Sequence, residues 1–148
     1  MTQTTPPTHL VLYADDDADD IKFVEESFSE TTENVELVTA CNGVDLIKYL
    51  EERKPLDPNP CLIILDVNMP MMNGKETLMK IRNMDRFKSI PVVLFTTSSN
   101  EFDKNFAKKY NAGFLTKPLD NSQMKTITEQ FIEHCSDEVR QHIRRTYS

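Results

Sequence analysis

The chain has 148 residues, one domain's worth, and is long enough to bury a core without disulfide or metal staples. Its 17 Lys and Arg against 24 Asp and Glu leave a net charge of −7, which opposes binding to nucleic-acid phosphates or to an anionic membrane. Apolar runs such as Leu62–Leu65 are too short to cross a bilayer, and three glycines cannot build either of the glycine-rich nucleotide loops.

Residues 1–8 are polar, with a Pro6-Pro7 pair, and read as a disordered leader. They lack the basic start and apolar stretch of a signal peptide, so the expected location is cytoplasmic. His9–Ala14 is a short apolar run that ends in acid, and it reads as a buried strand. From Ala18 the spacing turns helical, with Ile21, Val24 and Phe28 on one face. Val35–Ala40 alternates as a second strand, and Val44, Ile47 and Leu50 space out a second helix. The proline-rich stretch Lys54–Pro60 breaks any helix. Cys61–Leu65 is apolar throughout, as in a parallel strand covered on both faces.

Lys75–Met84 is predicted helical, and Pro91–Phe95 is a fourth strand of the all-apolar kind. Ser98 and Glu101 have capping-box spacing for a fourth helix, whose buried stripe is expected to be Phe102, Phe106 and Tyr110. Ala112–Thr116 is a fifth strand. Asp120 opens a long last helix through Met124, Ile127 and Phe131, with residues 135–148 as its extension. Cys41, Cys61 and Cys135 are odd in number, contain no C-x-x-C, and read as reduced thiols.

Five strands alternating with five helices predict an α/β fold with a parallel sheet and helices on both faces. In such a sheet the functional crevice lies beyond the carboxyl ends of the strands. Those ends carry Asp15-Asp16-Asp17, Asp66, Thr96-Thr97-Ser98-Ser99 and Lys117-Pro118. Carboxylates gathered on one rim repel one another, and a hard divalent cation such as Mg²⁺ relieves the conflict. Asp66 offers a carboxylate nucleophile able to form an aspartyl phosphate. Lys117 offers a compact positive charge and Thr96 a hydroxyl for phosphoryl oxygens. Taken singly, each of these residues has a blander reading: a helix cap for Asp17, a turn residue for Asp66, an exposed amine for Lys117. Their order along the chain, each at a different strand end, favours the joint reading.

The runs Tyr13–Asp17, Leu65–Gly74, Phe95–Ser98 and Thr116–Pro118 resemble those of a response-regulator receiver domain of the single-domain, CheY-like kind. The likeness covers residues 9–134 and implies a flavodoxin-like sheet of order 2-1-3-4-5. It also implies that Asp66 is the phosphoacceptor and that Thr96 and Lys117 act on the phosphoryl group. Asp15, Asp16, Asp66 and the backbone carbonyl of Asn68 would hold Mg²⁺. Thr96, Phe114 and Pro118 would form the switch, with a cis bond before Pro118. The partners implied are a sensor histidine kinase or phosphotransfer protein and a downstream protein, with a homodimer through the fourth helix, fifth strand and fifth helix as a further option. Such a domain catalyses only its own phosphotransfer and dephosphorylation. The connection Met84–Ile90 resembles those of receivers served by phytochrome-type kinases.

Two positions depart from the family pattern. Phe114 lacks the hydroxyl of a switch tyrosine, and Thr97 stands where a smaller Ala is common, so altered phosphate turnover is expected. No output domain is expected in the residues after Phe131, and Arg140, Arg144 and Arg145 read as a frayed basic end. Three alternatives share parts of the pattern. A haloacid-dehalogenase-type hydrolase would need an acid where Asn68 stands. A flavodoxin-like FMN carrier would need a phosphate loop where Asp15–Asp17 stand. A pseudo-receiver would have no use for the intact Asp15, Asp16, Asp66 and Lys117 set.

Overall fold

The computed structural model of the chain describes residues 8–145, so the expected leader lies outside the described residues except for Thr8. Strands β1 (His9–Ala14), β2 (Val35–Ala40), β3 (Leu62–Asp66), β4 (Val92–Thr96) and β5 (Gly113–Thr116) pair in parallel, in the order β2-β1-β3-β4-β5. The helices are α1 (Ala18–Thr31), α2 (Gly43–Glu51), α3 (Gly74–Arg82), α4 (Glu101–Lys109), α5 (Asn121–Met124), α6 (Ile127–Ile132) and α7 (Asp137–Ile143).

The two-residue period of the strands divides the core into two layers. Leu10, Leu12, Ile63, Leu65, Val92 and Leu94 face α2, α3 and α4, through Leu46, Leu50, Leu78, Ile81 and Ala107. Val11, Tyr13, Leu62, Ile64, Val93 and Phe95 face α1, α5 and α6, through Val24, Phe28, Met124, Ile127 and Phe131. β3 and β4 are buried at every position, as strands covered on both faces must be.

β3 and β4 each begin and end one residue later than the sequence reading, so Asp66 and Thr96 close their strands instead of following them. The ladder holds them there: Asp66 lies opposite Phe95, and Thr96 opposite Thr116. Both carry side chains whose direction the sheet dictates.

Among the described residues the expected five helices are seven, because the long last helix does not form as one rod. Around Thr126 the backbone tightens to i→i+3 bonds, Thr126 N–H to Gln123 O and Glu129 N–H to Thr126 O. A second tightening, His134 N–H to Phe131 O and Cys135 N–H to Ile132 O, ends α6, and the Ser136 side chain caps α7 afresh. Residues 135–145 are therefore a separate docked element, not an extension. Asn34 Nδ2 donates to His142 O, Glu33 N–H to Ile143 O and Arg145 N–H to Thr31 O. His9 Nε2 and His142 Nδ1 are 2.7 Å apart. The basic end is engaged internally: Arg140 pairs with Glu133 and Asp137, and Arg144 with Glu129 and Glu133.

Asn100, not Ser98, caps α4, its side chain accepting from Asp103 N–H at 2.8 Å. The Ser98 oxygen is already taken, accepting from Asn100 itself. The helix is rotated accordingly. Asp103 and Ala107 are its buried residues, and Phe102, expected inside, is 72% exposed. Lys75 Nζ lies 2.6 Å from Asp103 Oδ1 and 4.7 Å from the Phe102 ring centroid, tying α3 to α4. The cysteines are free as expected, with Cys135 buried in the α1-side core and Cys61 packed against it.

Gly74 opens α3 directly beneath the end of β3. A methyl group there would stand 2.2 Å from the Asp66 carbonyl oxygen and 2.9 Å from its carbon. That contact is backbone to backbone, so only a shift of the strand end relieves it. Gly74→Ala is expected to lower stability by about 2 kcal/mol in chemical denaturation. A wild-type midpoint would show that the strand end gives way freely.

Candidate functional site

β1 delivers Asp15, whose side chain is fully buried. Its Oδ1 accepts from Asp17 N–H at 2.9 Å. Its Oδ2 accepts from the Tyr13 hydroxyl at 2.5 Å and from Lys117 Nζ at 2.8 Å. Burial, then the neighbouring Asp15 carboxylate, push the Tyr13 phenol far up, so it remains a donor. Asp16 is exposed on the rim. Asp17 is the cap of α1, accepting from Asp19 and Asp20 N–H, which leaves it no part in the cluster.

β3 delivers Asp66, 6% exposed, whose Oδ1 accepts from Asn68 N–H at 3.2 Å. Carboxylate oxygens of Asp15, Asp16 and Asp66 lie within 4.8 Å of one another. Burial, then the Asp15 charge, push the Asp66 carboxyl up to about 6, against the pull of Lys117 and the Asn68 amide. The repulsion between carboxylates expected from sequence thus acts between Asp15 and Asp66, with Asp16 beside them on the exposed rim. Hard oxygen donors at this spacing suit a divalent cation of the Mg²⁺ or Mn²⁺ type.

Lys117 follows β5, its backbone N–H donating to Thr96 O at 2.6 Å. Its buried ammonium donates to Asp15 and Asp20, each at 2.8 Å, and to Asp66 at 3.2 Å. It also lies 5.5 Å from the Phe95 ring centroid. Burial alone would lower this amine, but the bonds to Asp15 and Asp20 and the charges of Asp15 and Asp66 outweigh it and hold it above its usual range. The ammonium therefore stays charged at any physiological pH.

Thr96 is buried and its Oγ1 accepts from Ser98 N–H at 3.3 Å. It shares strand parity with Val92 and Leu94, which places it on the α4 side of the sheet. Phe114, opposite Leu94, packs against that same layer. Thr96 and Phe114, two of the three residues expected to form the switch, therefore share one side of the sheet, while Asp15, Asp66 and Lys117 share the parity of the α1 side. Thr97 is exposed at the rim. All described peptide bonds are trans, so the expected cis bond before Pro118 is not present. The intrinsic preference of an X–Pro bond for trans, about 0.5–1 kcal/mol, holds here.

Two residues escaped the sequence reading. Tyr13 looks like an ordinary strand residue, and nothing local marks its hydroxyl as the partner of Asp15. Asp20 stands one helical turn beyond Asp16, a spacing that places it near the rim, but its partner Lys117 is 97 residues away.

The sequence model of one family, described as the response regulator receiver domain, matches residues 11–129. The chain is 33% identical over 105 residues to response regulator Rcp1 of Synechocystis sp. (strain ATCC 27184 / PCC 6803 / Kazusa), covering 70% of this chain and 71% of that protein. Its structure resembles the phosphorylated cyanobacterial phytochrome response regulator RcpA, with a TM-score of 0.79 and 28% identity over 88% of this chain and 96% of the other. It also resembles the Mn²⁺-bound form of Rcp1, with a TM-score of 0.75 and 28% identity over 84% and 92%. Among the described residues no helix is long and apolar enough to cross a membrane.

Proposed function

The chain belongs to the response regulator receiver domain family, the receivers of two-component phosphorelays, and we propose that in it Asp66 takes the phosphoryl group. One observation carries this reading. A buried carboxylate at a strand end faces a buried ammonium at 3.2 Å and two further carboxylates within 4.8 Å. An Asp66 oxygen forms the new bond to phosphorus as the donor's P–N bond breaks, and the leaving imidazole takes a proton from solvent. Lys117 steadies the charge on the transferring group, and the Thr96 hydroxyl then turns towards it.

Asp15, Asp16, Asp66 and the carbonyl of Asn68 are the groups that would hold Mg²⁺. Held by these groups, the cation would supply positive charge against the phosphoryl oxygens and the carboxylate cluster. The existence of a Mn²⁺-bound form of the relative Rcp1, together with the Asp15, Asp16 and Asp66 oxygens here, supports a divalent cation. The donor is a sensor histidine kinase or phosphotransfer protein, and likeness to the phytochrome response regulator RcpA favours a phytochrome-type kinase. Output runs through α4, β5 and the α5–α6 segment to a target protein or a second copy. The exposed Phe102 and Leu119, at 72% and 98%, offer apolar contacts beside that face. Thr96, Phe114 and Pro118 form the switch between acceptor and face.

Intact mass after incubation with Mg²⁺ and acetyl phosphate tests the reading. Wild type is expected to gain one phosphoryl increment only when Mg²⁺ is present, and Asp66→Asn none. An increment that survives in Asp66→Asn places the acceptor elsewhere.

A further inference from the structure

Asp20 belongs to no part of the acceptor or metal set above. It sits in the first turn of α1, where the Asp17 side chain fixes its backbone. Its Oδ2 nevertheless takes one of the three hydrogens of the Lys117 ammonium at 2.8 Å, as short as the Asp15 bond and shorter than the 3.2 Å to Asp66. All three ammonium hydrogens are thereby committed. The Lys117 side chain is 6% exposed and that of Asp20 23%, so the pair is mostly shielded from solvent.

We propose that Asp20 is a positioning residue that restrains Lys117 and competes with the phosphoryl group for its ammonium. The inference rests on Asp66 being the acceptor. A cation drawn to Asp15, Asp16 and Asp66 weakens the claim of Asp15 and Asp66 on the lysine. Asp20 has no such second duty, so its hold gains by comparison. For Lys117 to reach a phosphoryl oxygen it must release one partner, and Asp20 is the partner whose release leaves the metal ligands undisturbed. A competing state of this kind lowers the apparent affinity of any ligand that needs the ammonium free.

Asp19 provides the control. It occupies the same turn, carries the same charge and is exposed, and no contact with Lys117 involves it. Asp20→Asn and Asp19→Asn therefore separate restraint of the lysine from general loss of negative charge. Asp20→Glu keeps the charge and a longer reach, and Asp20→Ser repeats the neutral test with another side chain.

The measurements are beryllofluoride affinity in Mg²⁺, by amide NMR titration, and the rate of phosphoryl uptake from acetyl phosphate. Asp20→Asn and Asp20→Ser are expected to bind beryllofluoride and take up phosphoryl roughly three- to tenfold better, the equivalent of losing one ion pair at the edge of the site. Asp19→Asn and Asp20→Glu are expected to stay within about twofold of wild type, and Mg²⁺ affinity to change little in all four. Equal gains in Asp19→Asn and Asp20→Asn overturn the proposal in favour of bulk charge. Unchanged or poorer values in Asp20→Asn, with wild type active, overturn it alone. No uptake by wild type overturns it together with the acceptor role of Asp66.

Discussion

Lys117→Ala is expected to lower stability in metal-free buffer by about 3–5 kcal/mol, the cost of leaving buried charges without their partner. Lys117 Nζ is within 3.2 Å of three carboxylates, and two of them, Asp15 and Asp66, are buried. Removing the ammonium strands like charges in a site that water barely reaches. The chain then has two ways out: protonate Asp66, or let the strand ends separate. Saturating Mg²⁺ is expected to return most of the loss, because a divalent cation replaces the missing charge among the same oxygens. Urea unfolding with EDTA and with Mg²⁺ gives the comparison. An equal loss in both buffers would mean that the lysine stem contributes packing and its charge contributes little.

Asp66→Asn is expected to act in the opposite direction, and the difference is set by pH. The carboxyl of Asp66 is raised from 3.8 to about 6, chiefly by burial and by Asp15. A raised acid binds its proton more tightly in the folded state than in the unfolded one. Between the two values the folded chain therefore holds more protons, and stability falls as pH rises through that window. Above it the cost of the ionised Asp66 is fully present, about 3 kcal/mol for a shift of this size; below it the cost is gone. Asparagine has nearly the same shape and can still accept from Asn68 N–H, but it carries no charge. In EDTA the variant is expected to be the more stable protein at pH 7, with the gap closing towards pH 4. Denaturation midpoints at those two pH values decide it. A gap that does not change with pH would remove ionisation of Asp66 as its cause.

The two substitutions expose the same design from opposite sides. Both effects come from one arrangement, a single lysine shared among three carboxylates. A divalent cation held among the Asp15, Asp16 and Asp66 oxygens would offset the repulsion that the lysine alone leaves.

Much of this was legible along the chain. Each strand of a parallel sheet must be apolar where both faces are covered, so the runs at His9–Ala14, Cys61–Leu65 and Pro91–Phe95 were readable as strands. Once the strands are placed, their carboxyl ends follow, and with them Asp15, Asp16, Asp66, Thr96 and Lys117. The helices were read less well. Phe102 falls on the same helical stripe as Phe106 and Tyr110, yet it faces solvent, because the buried Asp103 pairs with Lys75 of a different helix. No period in α4 itself encodes that partner.

Apolar runs and their alternation with helical spacing are properties of the chain, and by themselves they determined the fold class, the parallel sheet and the residues at the carboxyl ends of its strands. Contacts between elements are a property of packing, and only the tertiary structure decided those. It split the last helix at Thr126 and docked α7 against Thr31 and Glu33. It brought the Tyr13 hydroxyl onto Asp15, and it gave Lys117 a third carboxylate in Asp20. The physical reason is range. A side chain's direction in a strand is set by its own backbone, whereas the partner of a buried charge is whichever group the folded chain places within a few ångströms of it.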